Sequence, residues 1–270
     1  MRFCMLRSGS SGNCTFLEHG GTKILLDAGG MSMRGMAAVL AEINERFADI
    51  NALVVTHLHS DHLNQNSLVL CRDHGVPLHI HESNVHALAD MTNKHRIAGL
   101  AVRPFACARF TVGGIVFSPF VVGHDARETT CGFTFWAKES PLSRIAFATD
   151  LGCFPDDLVP HFADCECIVL ESNHDTGLLW DNPRRPYFHK VRVASDEGHL
   201  SNEQAAQALV KIYAASKRPP RTIVLSHLSA DHNSPEMAIG HVAERLREHG
   251  IPANLLAAYR DKRMEFIRFG

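Results

Sequence analysis

Short apolar runs alternate along the chain with amphipathic stretches. Residues 14–27 (CTFLEHGGTKILLD) read as two strands joined by a turn at Gly20-Gly21, and 34–46 (RGMAAVLAEINER) as a helix. Ala52 to Thr56 (ALVVT) is an unbroken apolar run, the pattern of a strand buried on both faces. A polar loop follows it. The pattern then predicts a helix over 63–74 ending at Gly75-Val76-Pro77, a strand over 77–81, and a helix over 83–91 capped by Ser83. Residues 92–108 carry no recognisable motif.

From 109 to 150 the period changes to that of strands, at 109–113, 115–122, 131–137 and 144–149. Residues 156–162 read as helical and 167–171 (CIVLE) as another buried strand. Ser201-Asn202-Glu203-Gln204 is a capping box that opens a helix to about 215. A strand over 221–226, a helix over 235–249 and two short strands complete the pattern. The longest irregular stretch is 172–200, with the length of a functional lid. No repeat or linker divides the chain, so the expectation is one α/β domain over 1–270, a layered mixed sheet with outer helices.

Composition adds little until position is considered. The 27 Lys and Arg balance 29 Asp and Glu at a net charge of -2, which excludes a globally basic nucleic-acid binder but not a local basic groove. There is no apolar leader at Met1 and no run near the roughly 20 residues of a membrane span, so a cytoplasmic protein is expected. The 8 Cys are scattered without a C-x-x-C pair and read as free buried thiols. The 18 His are the unusual figure, since imidazole is the commonest metal ligand.

The histidines matter where they fall. Thr56-His57-Leu58-His59-Ser60-Asp61-His62 sets four metal-competent side chains directly after a buried strand. His57 and His59, two apart on an extended end, point the same way. Similar strand ends carry Asp27 (LLDAG), His124 (VVGHD), Asp150 (FATD) and His227 (VLSH). In this order the five motifs resemble those of the metallo-β-lactamase fold superfamily, over essentially the whole chain. The resemblance implies a four-layer αββα sandwich. It also implies one metal on His57, His59 and His124, a second on Asp61, His62 and His227, and Asp150 bridging them. Asp27 would orient the loop by hydrogen bonds rather than bind metal. Five imidazoles and two carboxylates without thiolate suit Zn²⁺, and also accept Mn²⁺ or Fe. Within the resemblance, histidines at 59 and 62 distinguish the chain from flavodiiron-type oxygen reductases, and Asp150 from the lactamases, which typically carry Cys there.

Further motifs narrow the branch. Ser8-Gly9-Ser10-Ser11-Gly12-Asn13 reads as an anion cradle or as a tight turn. LESNHD (170–175) contains His174, and GHLSN (198–202) places His199 near a helix N-terminus, where imidazolium is disfavoured and bound phosphate favoured. Together with T-H-x-H-S-D-H, T-D-L-G and S-H-L-S, these motifs resemble the YycJ/WalJ-like subfamily, which lacks a β-CASP insertion. That resemblance implies a metal-dependent 5′→3′ exonuclease acting on DNA, with a metal-bridging hydroxide as nucleophile and no obligate protein partner. His199 would hold the scissile phosphate or protonate the leaving oxygen, or else simply start a helix. Ser10, Ser11 and Asn13, with His174, Arg184 and Arg185, are the candidate substrate contacts. The basic-aromatic stretch 180–192 either contacts nucleic acid or packs its aromatics on the body. The competing hypothesis is a small-molecule hydrolase of a cyclic phosphodiester, lactone or thioester. A non-catalytic metal-binding protein is a third class, disfavoured because every ligand position is filled.

Overall fold

The computed structural model describes residues 1–269. Its first half builds strands β1 (Arg2–Arg7), β2 (Cys14–His19), β3 (Thr22–Ala28), β4 (Ala52–Val54), β5 (Leu78–His81) and β6 (Val102–Phe105). Helices α1 (Met33–Ala41), α2 (Gln65–His74) and α3 (Val85–His95) connect them. The second half builds β7 (Phe110–Val112), β8 (Ile115–Val122), β9 (Thr130–Ala137), β10 (Ile145–Ala148), β11 (Cys167–Glu171), β12 (Thr222–Ser226) and β13 (Leu255–Ala257). Its helices are α4 (Val159–Phe162), α5 (Thr176–Asp181), α6 (Tyr187–Val193), α7 (Asn202–Ala215) and α8 (Pro235–Glu248). A last strand, β14 (Ile267–Arg268), returns to pair with β1.

Two seven-stranded sheets result, in the orders β14-β1-β2-β3-β4-β5-β6 and β13-β12-β11-β10-β9-β8-β7. Strand alternation decides the layering. In β3, Ile24 and Leu26 face the core between the sheets, while Leu25 faces α1 and α2. In β11, Val169 enters that central core and Ile168 and Leu170 face α7 and α8. The central core is rich in phenylalanine, with Phe117, Phe133 and Phe135 fully buried. Apolar faces on both sides of each sheet explain why β4, β10, β11 and β12 read as continuous apolar runs. The architecture is the four-layer αββα sandwich.

Several local expectations need correction. The helix predicted over 34–46 ends at Ala41, and Asn44 takes a left-handed turn at φ 59°. Ser83 does not cap α3. It lies in a 3-10 turn, and the helix begins at Val85 without a side-chain cap. The stretch 92–108 contains the end of α3 and the edge strand β6, whose Arg103 and Pro104 hide its character. The stretch 172–200 is not irregular, since it holds α5 and α6. All 8 Cys are free, but Cys107 is exposed and Cys153 half-buried. The capping box at Ser201 and the left-handed Gly75 cap form as expected.

Candidate metal centre

Parallel pairing runs through β3-β4-β5-β6 in one sheet and β10-β11-β12-β13 in the other. Ligand sites gather at the C-terminal ends of such strands. Asp27 sits at the end of β3, His57 just past β4, Asp150 just past β10, Glu171 at the end of β11 and His227 just past β12. Antiparallel β8 delivers His124 to the same place.

The seven expected metal residues converge. Ligand atoms of His57, His59 and His124 lie within 4.8 Å of one another, as do those of Asp61, His62 and His227, and those of His57, His62 and Asp150. Most of this set is withdrawn from water: His57, His62, Asp150 and His227 are each at most 2% exposed.

Anchors fix which ring atom faces inward. Thr56 Oγ1 lies 3.0 Å from His57 Nδ1, and Asp27 Oδ2 lies 2.8 Å from His62 Nδ1. His124 Nδ1 donates to Gly198 O at 3.2 Å, and His227 Nδ1 to Glu171 Oε1 at 2.8 Å. Nε2 is thereby turned inward on four rings. On His59 it is Nδ1 that lies 3.3 Å from His124 Nε2. His57 Nε2, His227 Nε2 and Asp150 Oδ2 are buried without a hydrogen-bond partner. Asp150 Oδ2 lies 3.1 Å from His62 Nε2 without hydrogen-bond geometry. Buried polar atoms this close, unpartnered and facing one another, fit a cation between them.

The charge distribution agrees. Burial opposes charge on His62, but Asp150 and Asp27 outweigh it and hold the ring on the protonated side. Burial likewise opposes charge on His227, but Asp150, Asp61 and Glu171 raise it to about 10. Divalent ions would satisfy the same negative field. The chain therefore carries a divalent-metal-binding cluster.

Asp27 does not line the cavity. It accepts from Thr56 N at 2.9 Å and from Thr56 Oγ1 at 2.9 Å, and so braces the H-x-H-x-D-H loop. Gly29 allows the close approach of the β3–α1 turn, because a Cβ there would stand 2.3 Å from Asp61 C and His62 N.

A cavity of about 470 Å³ opens over the cluster, lined in part by His59, Asp61, His124, Asp150, His199 and His227. Ser10, Ser11 and Arg185 line it too, with Arg185 paired to Asp231. Three expected substrate contacts do not. Asn13 is 6% exposed, and its amide points to Asp61 Oδ2 (3.3 Å) and His62 Nε2 (3.0 Å), because its loop packs on theirs. His174 is 2% exposed, in a β-bridge to Ser201 beneath the surface. Arg184 is exposed but lies off the cavity. His199 departs from expectation in charge. Burial opposes its imidazolium, but the Glu171 carboxylate 2.8 Å from Nδ1 outweighs both burial and helix position and raises its pKa above 6.5.

Sequence reasoning assigned no role to Glu171 or Thr56. Glu171 had the same strand-end signal as Asp27 and Asp150. Thr56 had no sequence signal of its own, while Arg192, in the basic-aromatic stretch 180–192, reaches the cavity on α6.

Comparison with known proteins agrees with this geometry. The family model described as "Beta-lactamase superfamily domain" matches residues 22–219. The chain is 31% identical over 250 residues to Exodeoxyribonuclease YycJ of Bacillus anthracis, covering 93% of this chain and 90% of the relative. It is 32% identical over 238 residues to Exodeoxyribonuclease WalJ of Streptococcus pneumoniae, covering 88% and 85%. In fold it is similar to the metallo-beta-lactamase fold protein YhfI of Bacillus subtilis, with a TM-score of 0.70 at 13% identity over 97% of this chain and 98% of that one. Zn(2+)-bound PqqB of Methylobacterium extorquens gives a TM-score of 0.69 at 15% identity over 98% and 100%. The chain thus belongs to the metallo-β-lactamase fold superfamily of metal-dependent hydrolases, in its YycJ/WalJ-like subfamily.

Proposed function

We propose that the protein is a dinuclear metal-dependent phosphodiesterase that degrades DNA from the 5′ end. The observation that carries this reading is the pair of opposed triads, His57/His59/His124 and Asp61/His62/His227, with Asp150 buried between them. The two exodeoxyribonuclease relatives support DNA as the substrate. One triad would hold each ion and Asp150 would bridge them, with Zn²⁺ or Mn²⁺ as the fitting metals and Fe as a further one. When bound, such ions supply an activated water and neutralise charge on phosphate oxygens.

The chain's own residues do the rest. Asp27, Thr56, Gly198 O and Glu171 hold the ring orientations described above. His199 lines the cavity with Nδ1 engaged by Glu171, which leaves Nε2 to hold the scissile phosphate or give a proton to the leaving oxygen. Ser10 and Ser11 at the rim offer hydroxyls to a neighbouring phosphate.

The test loads purified protein with Zn²⁺ or Mn²⁺ and supplies 5′-labelled and 3′-labelled DNA and RNA, a chromogenic phosphodiester, a lactone and a thioester. Early release of labelled mononucleotide from the 5′ end, with binding that falls steeply as salt rises, is expected. Lactone or thioester turnover without phosphodiester cleavage would establish the small-molecule alternative instead.

A further inference from the structure

Three arginines reach the rim of the cavity: Arg185, Arg192 and Arg260. Two are committed. Arg185 Nε donates to Asp231 at 2.8 Å, and Arg192 pairs with Asp125. Arg260 forms no ion pair with any described residue, and it is exposed beside the β1–β2 loop. There Gly9 and Gly12 take φ of 142° and 155°, and a Cβ on Gly9 would come 3.7 Å from Arg260 Cγ. The arginine stem therefore lies along the loop.

The loop satisfies its own amides at every point but its tip. Gly9 N donates to Asn13 Oδ1, Gly12 N to Gly9 O and Asn13 N to Asp61 O. The Ser10 and Ser11 amides and hydroxyls donate to no acceptor among the described residues. Both serines line the cavity, and Ser11 and Arg260 also line a second cavity of about 270 Å³ beside Met31, Ala38 and Val39. A free guanidinium, two free amides and two hydroxyls thus stand at one edge of the reaction cavity.

We propose that Arg260, with Ser10 and Ser11, reads the terminal 5′-phosphate of the substrate strand. This rests on the nuclease reading above. An internal phosphodiester carries one charge, whereas a terminal monoester carries about -1.5 to -2 with three strong acceptors. A planar guanidinium takes such a group bidentately, and free amides add further donors. Arg185 and Arg192 are partly neutralised by carboxylates, so they favour the backbone without distinguishing its end.

The experiment measures binding rather than turnover. Zinc-loaded protein is titrated, by fluorescence anisotropy, with cleavage-resistant phosphorothioate single strands of one sequence bearing a 5′-phosphate or a 5′-hydroxyl. The phosphorylated strand should bind about tenfold more tightly. Arg260→Gln should bring the two to parity, Arg260→Lys should restore part of the ratio, and Arg185→Gln should leave the ratio intact. Equal binding by the parent protein, a ratio that survives Arg260→Gln, or one lost in Arg185→Gln overturns the assignment while leaving the nuclease reading standing. Failure of both strands to bind overturns both.

Discussion

Glu171→Gln is the sharpest single perturbation of the centre. The carboxylate is fully buried and accepts four hydrogen bonds. Oε1 takes His199 Nδ1 and His227 Nδ1, both at 2.8 Å, and Oε2 takes Leu151 N at 3.1 Å and Leu200 N at 3.3 Å. Glutamine keeps the shape but offers one oxygen. With its oxygen kept on the two histidines, its NH₂ faces Leu151 N and Leu200 N, and those two bonds are lost. Hydrogen bonds to a charged group contribute about 1.5–3 kcal/mol each, so the loss is about 3–6 kcal/mol. Relief of the cost of burying the charge offsets part of it, leaving about 2–4 kcal/mol. Burial opposes ionisation of Glu171, but His199 and His227 outweigh it and hold the carboxyl below its ordinary range, so the site favours the charge that Gln removes. Metal affinity should also fall, by about 10- to 100-fold, because a neutral amide oxygen anchors His227 less firmly than the carboxylate that aims Nε2. Urea denaturation of the metal-free protein measures the first effect, and competitive zinc titration the second. A variant within about 0.5 kcal/mol of the parent and unchanged in zinc affinity would refute the reasoning.

Three further outcomes follow from the same structure. Asp27→Asn keeps a residue that tolerates φ 59° but replaces an acceptor of His62 Nδ1, so zinc binding should weaken about 10- to 100-fold by titration with secondary structure intact by circular dichroism. Gly29→Ala places a Cβ against the Asp61–His62 backbone and should lower stability by about 1–3 kcal/mol or more in thermal melts; an unchanged midpoint would mean the turn relaxes freely. His79 stacks on Phe110 at 5.6 Å, and burial, then Arg103, holds it down to about 4. It is neutral in the fold and protonates first when unfolded, so its stabilisation is present above about pH 6.5 and lost as pH falls through about 4. The ceiling is about 3 kcal/mol, which partial solvent access reduces to about 1–2 kcal/mol. His79→Phe should flatten the pH dependence of urea stability by that amount, and an identical slope would count against it.

What the sequence made legible is local. The buried parallel strands show as apolar runs because both faces are covered, and the donors at their ends stand out as polar residues after such runs. Ser201 and Gln204 announce their helix because the capping box closes within four residues, with Ser201 N donating to Gln204 Oε1 at 2.8 Å. The hidden features depend on distance or brevity. Glu171 meets His199 and His227 across separations of 28 and 56 residues, which no spacing rule reaches. Helices α5 and α6 have 6 and 7 residues, too few to show a 3.6-residue period, and Pro183 and Pro186 between them suggest a loop. Asn13 has the residue type of a phosphate contact, and only the packing of its loop on Asp61 turns the amide inward.

The same centre shows why site and fold are coupled. Asp27, Asp150 and His227 take left-handed φ of 59°, 59° and 54°, a conformation that costs a side-chain-bearing residue of order 1–3 kcal/mol. Each lies at or just past the end of a parallel strand, where the extended chain must turn sharply. Glycine would turn there without strain but could supply no donor. For Asp27 the cost is offset by the Thr56 and His62 bonds, and for His227 by Ser8 Oγ on its amide at 2.8 Å and Glu171 on its ring. Asp150 Oδ2 has no such partner. In the protein alone the protonated His62 and His227 rings balance its buried charge, and a cation held between the two triads is the group that would replace those protons.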